Sequence, residues 1–131
     1  MKLKNFLTYI SFVLINLTVI NNSYSIEPDV FVQSTVNRAS QVLSNNLSKD
    51  QKIIELKSIA AETVDIKGIG MYTLGSYRKI LSEDQKKEYA ILFEQYFLKT
   101  FSSRLAEYSN PEIEVKSKEE LNKNYTMVSS V

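Results

Sequence analysis

Residues 82–111 read SEDQKKEYAILFEQYFLKTFSSRLAEYSNP, and the spacing within them decides the fold. Ser82 followed three residues later by Gln85 is a capping box, and Glu83 and Asp84 fall in the first turn, where the helix dipole favours negative charge. From there Tyr89, Leu92, Phe93, Tyr96, Phe97, Thr100, Phe101, Leu105 and Tyr108 recur at three- and four-residue steps, which predicts one long helix over about 83–108. Asn110-Pro111 closes it, because a proline disfavours helical backbone in the residue before it. The aromatic load exceeds what one helix needs for packing. It fits either plain core or one wall of an apolar cavity, with tyrosine hydroxyls near the mouth.

Upstream the same periodicity recurs in shorter pieces. Pro28 suits a first helical turn, and Val32, Val36, Ala39, Val42 and Leu43 give a helix over about 28–46. Ser48 with Gln51 is a second capping box, opening a helix over about 50–63 whose apolar residues are Ile53, Ile54, Leu56, Ile59 and Ala60. Asp65 can cap a short helix over 66–74, and Gly75 suits its stop. Gly68 and Gly70 each cost that helix roughly 1 kcal/mol, and such a pair marks a close approach to another helix, a kink or a ligand contact.

Downstream of Pro111 the period changes. Ile113 and Val115 alternate with Glu112, Glu114 and Lys116, which predicts a strand over about 112–116, and Tyr125, Met127, Val128 and Val131 predict a second over about 125–131. Ser117 to Asn124 is polar and is expected to connect them. A two-stranded hairpin is marginal alone, so the pattern predicts a sheet that is incomplete within this chain and a fold that continues beyond Val131. Only 3 glycines and 2 prolines in 131 residues favour helix over a turn-rich sandwich. The fold class expected is therefore α+β in one domain.

The first residues have a different character. Lys2 and Lys4 precede an apolar run from Phe6 to Ile20, broken by Thr8, Ser11, Asn16 and Thr18, and Ser23-Tyr24-Ser25 follows. That order is a secretory signal peptide with its cut between Ser25 and Ile26, leaving residues 26–131 as a mature domain that works outside the cytoplasm. The run is short of the roughly 20 residues of a membrane span.

Composition removes several function classes. There are 16 basic and 15 acidic residues, and without Lys2 and Lys4 the balance is 14 to 15, so nothing attracts nucleic acid. Histidine and cysteine are both absent. Serine–histidine and cysteine–histidine catalysis go with them, as do the commonest zinc ligands and any disulfide. No metal, cofactor or catalytic turnover is expected. The one close carboxylate pair beside an apolar segment, Glu62 and Asp65, suits a helix end and an N-cap better than an acid–base pair.

Val64-Asp65-Ile66-Lys67, Leu74-Gly75-Ser76-Tyr77-Arg78, the segment Leu81-Ser82-Glu83-Asp84-Gln85-Lys86-Lys87-Glu88-Tyr89 and the aromatic run to Tyr108 resemble the MlaC family in order and spacing, over about Asp29 to Val131. The resemblance implies a helical N-terminal half packed on a mixed β-sheet related to the NTF2-like fold, with lipid tails between them. It further implies a soluble periplasmic shuttle for phospholipid. Its partners would be an outer-membrane lipoprotein complex and an inner-membrane ABC transporter containing an MCE-domain protein, and its role would be to maintain outer-membrane lipid asymmetry. On the helical side the lipid would meet Ile53, Ile54, Leu74, Leu92, Phe93, Tyr96, Phe97 and Phe101. An exported module for another apolar ligand, such as a hopanoid or quinone, is the alternative, and an enzyme of the same fold would need Asp65 in its pocket.

Overall fold

The computed structural model describes residues 25–131. The expected leader and all but the last residue of its cut site lie outside the described residues. Among the described residues four helices come first: α1 Pro28–Ser44, α2 Lys49–Thr63, α3 Ile66–Thr73 and α4 Glu83–Leu105, with a 3-10 turn at Gly75–Lys79 between the last two. A hairpin of β1 Val115–Asn122 and β2 Tyr125–Ser130 follows. This is an α+β chain whose two antiparallel strands do not close a sheet. The mixed sheet expected from the resemblance is, among the described residues, this single hairpin.

Each helix starts on a side chain or residue suited to the task. Pro28 occupies the first turn of α1. At α2 the Gln51 amide N–H donates to Ser48 Oγ (3.3 Å) and the Ser48 N–H donates to Gln51 Oε1 (3.0 Å). Ser82 and Gln85 repeat that reciprocal pair at α4, at 2.9 and 3.2 Å. At α3 the Gly68 N–H donates to Asp65 Oδ1 at 2.9 Å. Such caps satisfy amides that have no partner within the helix, each contributing about 1 kcal/mol.

Helix ends fall short of where apolar spacing placed them. α1 stops at Ser44, because Asn45 is already extended (φ −69°, ψ 151°). There the Lys52 ammonium donates to the Leu43 carbonyl at 2.6 Å, matching a cation to the negative end of the dipole. α4 stops at Leu105 and unwinds through single turns, with Tyr108 N–H donating to the Leu105 carbonyl (3.0 Å). Asn110 then takes φ +50°, a left-handed conformation that asparagine tolerates, and the chain leaves the helix at Pro111.

The strands differ most from the sequence reading. β1 begins at Val115 and runs to Asn122, through the stretch expected as a loop, whereas Glu112 to Glu114 precede it. Its register pairs Lys118 with Val128, Glu119 with Met127 and Glu120 with Thr126. Val131 and Glu114 exchange both backbone hydrogen bonds at 2.8 and 3.0 Å, continuing the ladder beyond the assigned strand. The turn is Lys123-Asn124, where the Asn124 N–H donates to Asn122 Oδ1 at 2.9 Å. Polar residues occupy both faces of β1, so no alternation marks it. Backbone pairing with β2 makes it a strand.

α2 packs on both α1 and α4, α3 packs on α4, and the hairpin lies against α1. The buried apolar residues are Leu43 on α1, Leu56, Ile59 and Ala60 on α2, Ile66 on α3, and Leu74 after it. Ser102 of α4 is wholly enclosed. Gly70 marks a close approach: a Cβ there would stand 2.9 Å from Phe93 Cδ1 of α4. Gly75 has φ +54° and open space around its Cα, so backbone conformation alone requires it.

Candidate functional site: an apolar cleft beside the first helix

Along α4 the rings of Tyr89, Phe93, Phe97 and Phe101, four residues apart, stack in a ladder. Centroid spacings are 5.8, 6.2 and 5.3 Å and the planes lie 27°, 26° and 12° apart. Offset stacking at these distances adds roughly 0.5–1.5 kcal/mol per pair beyond burial. At the upper end the Tyr89 and Thr73 hydroxyls share a hydrogen bond of 2.8 Å, tying the ladder to α3. At the lower end Phe101 is 38% exposed.

Phe101 lines an apolar cleft of about 600 Å³. One wall is α1, through Thr35, Val36, Ala39 and Leu43. The other is the end of α4, through Phe101, Leu105 and Tyr108, and the floor is Pro111, Glu112 and Ile113. Thr35, the Tyr108 hydroxyl and the Glu112 carboxylate are its only polar side-chain groups. Glu112 and Ile113 also line an adjoining hollow with Gln33 and Val115. Gln33 and Val115 in turn belong to a polar groove with Asp29, Asn37, Arg38 and Lys116. The groove and the cleft share no lining residue: Ser34, Asn37 and Gln41 of the groove lie on the opposite face of α1 from Val36, Ala39 and Leu43 of the cleft.

The residues expected to meet a ligand do not all gather there. Phe101 is in the cleft; Phe97 stacks on Phe101 but does not itself line the cleft. Leu92, Phe93 and Tyr96 line a second hollow of about 500 Å³ with Thr73 and Tyr89, against α3. Leu74 is buried core, Ile53 is half-buried, and Ile54 is 64% exposed. Neighbouring helical positions lie about 100° apart, so Ile53 and Ile54 cannot face one site together. Val36, Ala39, Leu105, Tyr108, Pro111 and Ile113 were not expected at the site. The α1 stripe that contains Val36, Ala39 and Leu43 was legible, but it reads as core until a wall stands opposite it.

The carboxylates near α3 have structural partners. Asp65 is exposed and caps the helix, which removes the only support for an acid–base pocket. Glu62 accepts from Arg38 Nη2 at 2.7 Å and from Ser58 Oγ at 3.1 Å. The Arg38 hydrogen bond, then that of Ser58, then the guanidinium charge hold its carboxyl below the usual carboxylate value. Among the described residues no cluster of acids has the grouping of a metal site.

A family model described as MlaC protein matches residues 33–131, which include every residue of the cleft. No curated protein matches the chain, and no solved structure does.

Proposed function

The chain belongs to the MlaC family, and on that premise we propose that it is a periplasmic phospholipid carrier, shuttling lipid between outer-membrane and inner-membrane complexes in support of outer-membrane lipid asymmetry. At family level it is a lipid-binding component of the Mla system, not a member of an enzyme family. The observation that carries the reading is the apolar cleft between α1 and the end of α4. Its walls of Val36, Ala39, Leu43, Phe101 and Leu105 suit acyl chain.

Two acyl chains carry roughly 30 methylenes, whose exposure to water costs on the order of 20 kcal/mol, so a carrier must cover them. The charged head group loses hydration if buried and belongs in solvent at the mouth of the cleft. Secretion by the N-terminal leader brings the chain to the compartment where such transfer is needed. An outer-membrane lipoprotein complex and an inner-membrane ABC transporter with its MCE-domain protein are the proposed partners.

Solvent extraction and mass spectrometry of intact protein purified from the periplasm tests the cargo. Phospholipid in amounts comparable to the protein is expected. A hopanoid or quinone in its place, or no lipid at all, overturns the assignment.

A further inference from the structure

The α3–turn segment, Ile66 to Ser82, lines neither the cleft nor the hollow and groove near it. It holds Lys67, Arg78 and Lys79 and no acidic residue, in a chain whose charges otherwise nearly cancel. All three cations are exposed, and none forms an ion pair among the described residues. The acids that flank the segment in sequence are engaged: Asp65 accepts from the Gly68 N–H, Glu83 pairs with Lys86 at 2.8 Å, and Asp84 with Lys87 at 3.6 Å.

The same segment exposes apolar side chains. Tyr72 is 81% exposed, Ile80 77%, Tyr77 64% and Ile69 41%. On α3, Ile66 and Gly70 turn inward, and Gly70 meets Phe93, which leaves Tyr72 on the opposite side of the helix. Gly75 then reverses the chain, and the 3-10 turn that carries Tyr77 and Arg78 buries none of its residues.

Amphipathic rings and aliphatic side chains next to uncompensated cations are the pairing that an anionic lipid–water interface accepts. Tyrosine sits at head-group depth, aliphatic carbon enters the acyl boundary, and Lys or Arg meets lipid phosphate. We infer that Ile66–Ser82 is a membrane-docking element that rests reversibly on an anionic lipid surface. The cations give it selectivity for that surface, and the small apolar contribution leaves it free to detach.

Sedimentation of the intact protein with phosphatidylglycerol vesicles and with phosphatidylcholine vesicles, at low ionic strength and at about 1 M salt, tests this. Preferential binding to the anionic vesicles, lost in high salt, is expected. Each cation near such a surface contributes roughly fivefold in partitioning, so the combined Lys67→Gln, Arg78→Gln and Lys79→Gln variant should bind on the order of a hundredfold more weakly. Replacing Tyr77 and Ile80 by Ser should weaken binding to both vesicle types. All these positions are exposed, and far-UV circular dichroism checks that helix content is kept.

Because the protein is also proposed to take up lipid as cargo, an Ala39→Phe variant that fills the cleft separates the two activities. Its vesicle binding should match wild type even where its cargo is lost. Equal wild-type binding to both vesicles, no binding to either, unchanged binding by the charge variant, or loss of binding in Ala39→Phe would each overturn the inference. Absence of binding to either vesicle would mark the segment as a protein-docking face instead.

Discussion

Gly70 and Gly68 sit two residues apart on α3 and respond to the same substitution for different reasons. A Cβ at Gly70 would stand 2.9 Å from the Phe93 ring, held in a ladder between Tyr89 and Phe97. Overpacking of that kind costs roughly 1–3 kcal/mol, against about 1 kcal/mol gained in helix propensity, so Gly70→Ala should lower stability by about 1 kcal/mol in urea unfolding. At Gly68 the added carbon meets only the Asp65 carboxylate, the free end of a side chain. Loss of that cap and gain in propensity are both about 1 kcal/mol, and Gly68→Ala should be near neutral. Equal losses at the two positions would contradict the close approach of α3 to α4.

At the same scale, Arg38 holds the Glu62 carboxyl below its usual range. A carboxyl lowered in the folded state stabilises above its ordinary pKa, and that stabilisation disappears as pH falls through the lowered value. Arg38→Gln should therefore raise the Glu62 titration, followed by carbon-13 NMR, towards the ordinary range. Ser58 still donates to Glu62, so the rise should be partial. An unchanged titration would show that the pair does not persist in solution.

Among the elements, the aromatic ladder of α4 links core to cleft, and Phe97 is the third of its four rungs. Truncating a wholly buried phenylalanine costs roughly 3–5 kcal/mol because it leaves a void. Phe97 is half-buried and leads to open space at Phe101, so Phe97→Ala should cost less than that and should reduce bound phospholipid. A strong shift in thermal unfolding with lipid per folded molecule unchanged would make Phe97 ordinary core. Helices of this kind were legible in the sequence because caps and periodicity coincide: Ser48–Gln51, Ser82–Gln85 and Asp65 each do in space what their spacing implies. β1 was not legible over its length. Lys116-Ser117-Lys118-Glu119-Glu120 has neither an apolar face nor high strand propensity, and its pairing with residues 125–130 is a non-local fact. The site was half legible for a related reason. Periodicity finds the apolar face of α4, but the opposing wall depends on where α1 and the Pro111–Ile113 segment come to rest.

Among the described residues the buried apolar set is small, six residues from α1, α2, α3 and its C-cap, while large apolar side chains remain exposed on every element. Exposed apolar surface of this extent calls for an occupant or a partner. Two such surfaces differ in chemistry here: the apolar cleft between α1 and the end of α4, and the basic, tyrosine-bearing turn after α3. The first is proposed to hold lipid and the second to meet the bilayer. Filling the cleft without touching the core distinguishes cargo from packing, because Ala39 is a half-buried residue on the cleft wall and a phenylalanine there occupies the space of an acyl chain. The most direct measurement is lipid phosphorus per folded chain in periplasm-purified wild type and Ala39→Phe, with helix content and unfolding midpoint recorded for both. Most of the bound phospholipid should be lost in the variant while fold and midpoint are kept; phospholipid retained at the wild-type level in a folded Ala39→Phe protein would show that the cleft beside α1 is not where the lipid lies.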